Sequence, residues 1–182
     1  MIREIVLYGD PVLRLKGKRI EKIDNSIRQL TADMLETMHN ANGVGLAAQQ
    51  VGATLQIMVI DVGDVDNRPS QMWVEGKEVD PNDHAPLILI NPELELGGER
   101  EVETEGCLSF PEISAEIPRS TKVRVKAQDL DGNPIDFEAT GLLARVAQHE
   151  TDHLNGILFI DRISSASKTS LASRLKRIAA GA

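Results

Sequence analysis

Cysteine is almost absent: Cys107 is the only one in 182 residues. No intramolecular disulfide can form, so a reducing compartment is expected. No apolar run approaches the roughly 20 residues that cross a bilayer as a helix. The N-terminus, Met1-Ile2-Arg3-Glu4, has neither the apolar stretch of a signal peptide nor the Arg/Ser-rich composition of a transit peptide. A cytoplasmic protein with no membrane partner is the expectation. Positive charge is scarce, with 20 Lys and Arg against 28 Asp and Glu and a formal net charge of −8, which argues against nucleic-acid binding, general or sequence-specific. Neither the Rossmann nor the P-loop glycine pattern occurs, and there are no internal repeats or low-complexity tracts. What remains is ordinary apolar content in a chain long enough for one domain with a real core.

The charge is uneven. From residue 165 onward only Lys168, Arg174, Lys176 and Arg177 are charged, a +4 tail on a body that is therefore −12. Residues 1–164 are read as one catalytic domain and 165–182 as a basic C-terminal helix, either solvated or docking on an anionic partner. An N-terminal arm with turn chemistry at Tyr8-Gly9-Asp10-Pro11 precedes a predicted helix over 23–42, with Asp24 as N-cap and Ile27, Leu30, Met34, Leu35 and Met38 at helical spacing. Strands are predicted over 54–61 and 87–90, separated by a polar excursion at 62–86 that forms a loop or small hairpin. Gly97-Gly98 suggests a hairpin between 93–96 and 99–103, and Asp131-Gly132-Asn133-Pro134 a second between 122–127 and 135–139. Strands followed by helices give an α+β class, with antiparallel sheets wrapped around a central metal-binding helix and further helices near the N- and C-terminal ends.

That central helix contains Gln148-His149-Glu150-Thr151-Asp152-His153. Thr140 is the expected N-cap, and Leu142, Leu143, Val146, Ala147 and Leu154 form its apolar stripe. His149 and His153, four residues apart, project from one face and can grip one ion, with Glu150 reaching a water on it: the HExxH arrangement. The alternative is two surface histidines on an acidic helix. A catalytic ion needs a third protein ligand and an open position. A further histidine six residues after His153 would supply it, but that residue is Phe159, and no Cys or His follows. The third ligand is then a downstream acid such as Asp161, or something upstream.

Upstream there are few candidates. His39 ends the first predicted helix and His84 lies in the polar excursion; both read as solvated. Cys107, in Glu105-Gly106-Cys107-Leu108-Ser109, is either a small buried hydrophobe or the missing thiolate. Gly43-Val44-Gly45-Leu46-Ala47-Ala48-Gln49-Gln50 offers glycines for close backbone approach and a glutamine amide able to donate to an oxyanion.

Taken in order, the segments 43–50, 105–109 and 148–153 closely resemble the peptide deformylase pattern GxGLAAxQ, EGCLS, QHExDHLxG, with every fixed position met. The resemblance extends to Pro11-Val12-Leu13-Arg14 and covers most of the chain; the excursion at 62–86 is larger than in compact members. It implies that Cys107, His149 and His153 hold one divalent ion, typically ferrous iron, with zinc, nickel or cobalt able to substitute. It implies Glu150 as the proton-transfer residue and Gln50, with the Leu108 backbone N–H, as oxyanion donors. The expected substrate is the N-formylmethionyl end of a nascent chain. Its side chain would lie against Leu142 and Val146, and its backbone beside Val44, Gly45 and Gly106. Glu105 is a candidate ion-pair partner for Arg119. A basic C-terminal helix could meet ribosomal RNA. The rival readings are a zinc endopeptidase, which would need a ligand after His153, and a structural metal module, which would need four closed ligands.

Overall fold

The computed structural model describes residues 1–63, 65 and 67–181. Its strands are β1 (Gly45–Ala47), β2 (Ile57–Ile60), β3 (Ser70–Val74), β4 (Lys77–Val79), β5 (Leu87–Cys107), β6 (Phe110–Gln128) and β7 (Pro134–Thr140). The α-helices are α1 (Asn25–Asn40), α2 (Gly141–Leu154) and α3 (Ser165–Gly181). The strands join in one sheet ordered β1-β2-β5-β6-β7-β3-β4, with every pairing antiparallel. The class is α+β, as the residue pattern predicts, but the strands form a single sheet.

Alternation along the strands and helical spacing in α2 build the central core. Met58, Ile60, Leu89, Val123, Val125, Phe137 and Ala139 pack with Leu142, Leu143, Ala147 and Leu154. Side chains two apart on a strand share a face, and those three and four apart on a helix do likewise, so two period-matched surfaces close on each other. The helix α1 is capped as expected: Ile27 N–H donates to Asp24 Oδ1 at 3.1 Å. Its buried stripe of Ile27, Leu30, Met34 and Met38 covers β1 and β2 through Leu46, Ile57 and Val59. The helix α3 buries Leu171 and Leu175 among Leu13, Phe110, Phe159 and Ile160, and leaves Lys168, Arg174, Lys176 and Arg177 exposed.

The hairpin expected at Gly97-Gly98 is absent. The strand β5 runs through both glycines to Cys107 and reverses only at Leu108-Ser109. Between Gly97 and Arg100 three steps on β5 match two on β6, from Lys122 to Ser120, so the glycine pair makes a bulge. Gly98 has φ +71° and a Cβ there would collide with Thr121 Oγ1, so both conformation and space call for glycine.

The N-terminus of α2 also differs from expectation. Thr140 is the N-cap but its side chain makes no capping bond. The orphan N–H groups are satisfied from the 62–86 segment: Leu142 N–H donates to the Pro69 carbonyl at 3.2 Å and Leu143 N–H to Ser70 Oγ at 2.9 Å. Thr140 Oγ1 turns outward to Gln71 Oε1 at 3.2 Å. The excursion thus folds into the β3–β4 hairpin, pairs β3 with β7, and closes the end of α2.

Candidate active site

The strand β5 ends at Cys107 where α2 passes His149 and His153. The Cys107 Sγ, one nitrogen of His149 and one of His153 all lie within 4.8 Å of one another. Cys107 Sγ is 3.3 Å from His153 Nε2, and the two imidazole centroids are 5.1 Å apart, as one helical turn dictates. His149 Nδ1 is held by Glu105 Oε1 at 2.9 Å, which leaves Nε2 as the free nitrogen. A thiol and two imidazoles converging in this way form a soft, three-point donor set that suits a divalent transition metal with one position left open.

The two imidazoles differ electrostatically. Burial opposes charge on His149, yet Cys107 and Glu105 outweigh it and hold its pKa well above the ordinary imidazole value. Burial and the adjacent His149 push His153 well below it. One ring is drawn toward a positive charge and the other is kept neutral with its lone pair available.

Glu105 is the hub beneath this cluster. Arg119 grips it with Nε and Nη2 at 2.9 Å each, and Arg145 Nη1 donates at 2.6 Å. Burial would raise the Glu105 pKa, but His149 and Arg119 hold it down to about 2. Arg119 continues to Asp152 Oδ2 at 2.6 Å, and Arg162 closes on the same carboxylate at 2.6 and 2.7 Å. The anticipated Glu105–Arg119 pair is therefore one link in a longer chain. Each buried charge in it has an opposite partner, the condition for carrying such charges in a core.

Glu150 has the opposite environment. It is buried, Oε2 has no hydrogen-bond partner among the described residues, and desolvation pushes its pKa up to about 7. A carboxyl so placed can both take and return a proton near neutrality. Gln50 stands across from it, in the 3-10 turn Ala48–Val51 that follows β1. Its Oε1 accepts Ala47 N–H at 2.9 Å, which fixes which way the amide faces. Its Nε2 then points at Ser109 Oγ, 3.2 Å away, and toward Cys107 Sγ at 3.7 Å.

These groups open into a cleft of about 620 Å³. Val44, Gly45, Gly106, Leu142 and Val146 line it, together with Gln50, Cys107, Leu108, His149 and Glu150, while His153 lies behind the wall. Gly45 is where α2 presses closest on β1: a Cβ there would come within 2.6 Å of Val146 Cγ1 and 2.9 Å of Glu150 Oε1. His39 is drawn elsewhere, bonded to Asp61 Oδ2 at 2.9 Å, and His84 lines a separate groove beside Trp73. The sequence reading missed Ser109, Arg145, Asp152 and Arg68. Ser109 lay inside a quoted motif, and the arginines carried no local signal.

The sequence model of the polypeptide deformylase family matches residues 2–169. A peptide deformylase of Methylacidiphilum infernorum is 47% identical over 181 residues, spanning 100% of this chain and 95% of that one. The solved peptide deformylase of Ehrlichia chaffeensis superposes with TM-score 0.83 at 36% identity, over 97% of this chain and 96% of its own. That of Synechococcus elongatus, in complex with actinonin, gives 0.79 at 39% identity, over 97% and 85%. With sequence and fold agreeing along nearly its whole length, the chain belongs to the polypeptide deformylase family of hydrolases.

Proposed function

We propose that this enzyme removes the N-formyl group from the N-terminal methionine of newly synthesised polypeptides, releasing formate. The observation that carries the proposal is the convergence of Cys107, His149 and His153 within 4.8 Å, beside a buried carboxyl with a free oxygen. Cys107, His149 and His153 would hold one divalent ion, ferrous iron first, with zinc, nickel or cobalt able to substitute. When bound, such an ion supplies a water acidified toward neutrality and positive charge for the formyl oxygen.

The chain's own groups do the rest. Glu150 takes the water's proton as oxygen attacks the formyl carbon, and its raised pKa suits it to hold that proton. Negative charge developing on the formyl oxygen is met by Gln50 Nε2, aimed by the Ala47 N–H on its carbonyl, and by the Leu108 N–H. Glu150 then gives the proton to the departing nitrogen as the C–N bond breaks, so formate and a free amine leave. Glu105 keeps His149 in one tautomer and orientation throughout.

The substrate backbone would add to the free edge of β1. Asp61 N–H bonds the Val44 carbonyl, and Gly45 pairs with Ile60, so antiparallel alternation turns the Gly45 N–H and C=O away from β2 and toward the cleft. Gly106 lets the far side approach closely, and Leu142 with Val146 give an apolar wall for the methionine side chain.

Among the described residues no helix is long and apolar enough to cross a membrane, and a cytoplasmic site of action follows from the proposed substrate. Four exposed cations on α3 could dock on ribosomal RNA in a salt-sensitive way. Replacing Lys168, Arg174, Lys176 and Arg177 with glutamate should then weaken ribosome binding and spare turnover of short peptides, since it leaves the buried Leu171 and Leu175 in place.

The deciding experiment is formate release from a formyl-Met peptide by protein loaded anaerobically with ferrous iron, alongside Cys107→Ala and Glu150→Ala. Turnover by wild type, with metal lost in the first variant and retained without activity in the second, supports the thiolate-ligand role of Cys107 and the proton-transfer role of Glu150 together. Wild type that binds metal and cuts unformylated peptides internally, with no formate, would replace this reading with an endopeptidase.

A further inference from the structure

Past the metal-binding cluster the cleft continues along α2. Leu142, Val146 and His149 stand on one face of the helix, so the wall they form runs about 10 Å along its axis from His149 to Leu142. Its far end is a polar stop. Arg68 lines the cleft there, placed by its neighbours: Pro69 and Ser70 accept the first free N–H groups of α2, at 3.2 and 2.9 Å. The Arg68 guanidinium donates to Glu103 Oε2 at 2.9 Å. The same carboxylate oxygen lies 3.3 Å from Arg145 Nε, and Arg145 is tied inward to Glu105 at 2.6 Å and to the Ile117 carbonyl at 2.8 Å. The Arg145 side chain is 7% exposed, against 42% at Glu103 and 36% at Arg68.

Resting on the deformylase reading, we propose that Arg68, held by Glu103, is the end stop of the side-chain pocket and sets the longest unbranched side chain accepted on the formylated residue. The formyl group must sit between Glu150 and Gln50, at the His149 end of the wall. The side chain of the same residue then runs along Val146 and Leu142. Four heavy atoms beyond Cα, as in methionine, reach about 5 Å. They use the apolar wall without touching the far end of a channel about 10 Å long. A chain four methylenes longer, about 10 Å in reach, meets the guanidinium. It must then strip water from that group or push it off Glu103, which would keep Arg145 at 3.3 Å as its remaining partner. Arg68 is part-exposed and can swing outward, so the discrimination is graded.

The test uses iron-loaded wild type, Arg68→Ala and Glu103→Gln, with formyl-norleucyl-Ala-Ser and its formyl-2-aminodecanoyl counterpart as substrates. Wild type should prefer norleucine in kcat/KM by about tenfold, the scale on which a hydrophobic pocket discriminates by length. Arg68→Ala should bring the two within about twofold, and Glu103→Gln, which frees Arg68 without removing it, should fall between. The Kd values of the two deformylated peptides, measured by calorimetry, should move in parallel. Thermal unfolding of both variants near the wild-type temperature shows that the rim, and not the fold, has changed. Formate released from both peptides with a ratio unmoved by Arg68→Ala overturns the end stop and leaves the deformylase reading standing. No formate from either peptide with wild type overturns both.

Discussion

Substituting Gly45 with alanine tests how tightly β1 and α2 close on Glu150, the proposed proton carrier. The added Cβ would lie 2.6 Å from Val146 Cγ1, 2.9 Å from Glu150 Oε1 and 3.0 Å from Glu150 Cγ. Carbon atoms pack best at about 3.5–4.0 Å, so the methyl must widen the gap by about 1 Å or displace both side chains. Val146 is β-branched in a helix and has one favoured rotamer, so it yields poorly. Gly45 itself has no positive φ, so alanine fits its backbone, and the reduced freedom of the unfolded chain returns about 0.4–1 kcal/mol. Against an overpacking cost of about 1–3 kcal/mol, the net loss should be on the order of 1 kcal/mol. Turnover should suffer more, because moving a reacting group by about 1 Å costs roughly 10²-fold. The two effects separate in the double variant with Val146→Ala, which removes the nearest clash and leaves the one with Glu150. Urea unfolding should show stability largely recovered, while formate release stays low. Full recovery of rate in the double variant, or wild-type rate in Gly45→Ala, would show that Glu150 is not held against this glycine.

Glu105→Gln leaves Arg119 and Arg145 short of a charge and takes the carboxylate from His149 Nδ1. Stability should fall by about 3–5 kcal/mol and metal affinity by about 10–100-fold in chelator competition; unchanged affinity would separate Glu105 from the metal site. Burial opposes ionisation of Asp161, but Arg14 and the Leu158 N–H hold its pKa below the ordinary 3.8. Its stabilisation is therefore complete above that value and is lost as pH falls through the lower, folded one. The stability gap between wild type and Arg14→Ala, under about 1 kcal/mol for so exposed a pair, should narrow only in that acid range, and a gap that widens there contradicts the assignment. Asn91, at φ +51°, accepts Ile20 N–H and donates to the Ile20 carbonyl, both at 2.8 Å. Asn91→Ala loses both bonds in a buried setting and keeps the left-handed backbone, so urea unfolding should register about 2–4 kcal/mol.

The three motifs were legible because their chemistry is local: a helix places His149 and His153 together whatever surrounds it. The stripe of α1 and the cap at Asp24 were legible for the same reason. Gly97-Gly98 misled because a glycine pair permits a bulge as readily as a turn, and only the partner strand, through Thr121, decides between them. The capping of α2 by Pro69 and Ser70 could not be read, since those residues come about seventy positions earlier in a stretch that looks like a loop. Arg145 was hidden by its position beside Val146. A charged residue next to a pocket residue reads as solvent-facing until Glu105 and the Ile117 carbonyl are seen to receive it.

The site is assembled where two repeats of different period meet. On β5, Glu105 and Cys107 are two residues apart, so one extended stretch delivers a candidate metal ligand and, beside it, the carboxylate that orients another. On α2, His149 and His153 are one turn apart, so one helix delivers two nitrogens, and Glu150 stands next to the first. Neither element is sufficient alone: two histidines leave an ion under-coordinated, and a lone thiol binds it weakly. The bond from Glu105 to His149 joins the two repeats and, by occupying Nδ1, leaves Nε2 free on the Cys107 side. Arg119 completes the lock, because it holds Glu105 on β5 with two nitrogens and Asp152 on α2 with a third. Strand and helix are thus fixed to each other by charges one or two positions from the donors themselves. That accounts for a fully paired buried acid at Glu105 beside the same cleft as a buried acid, Glu150, whose Oε2 has no hydrogen-bond partner among the described residues.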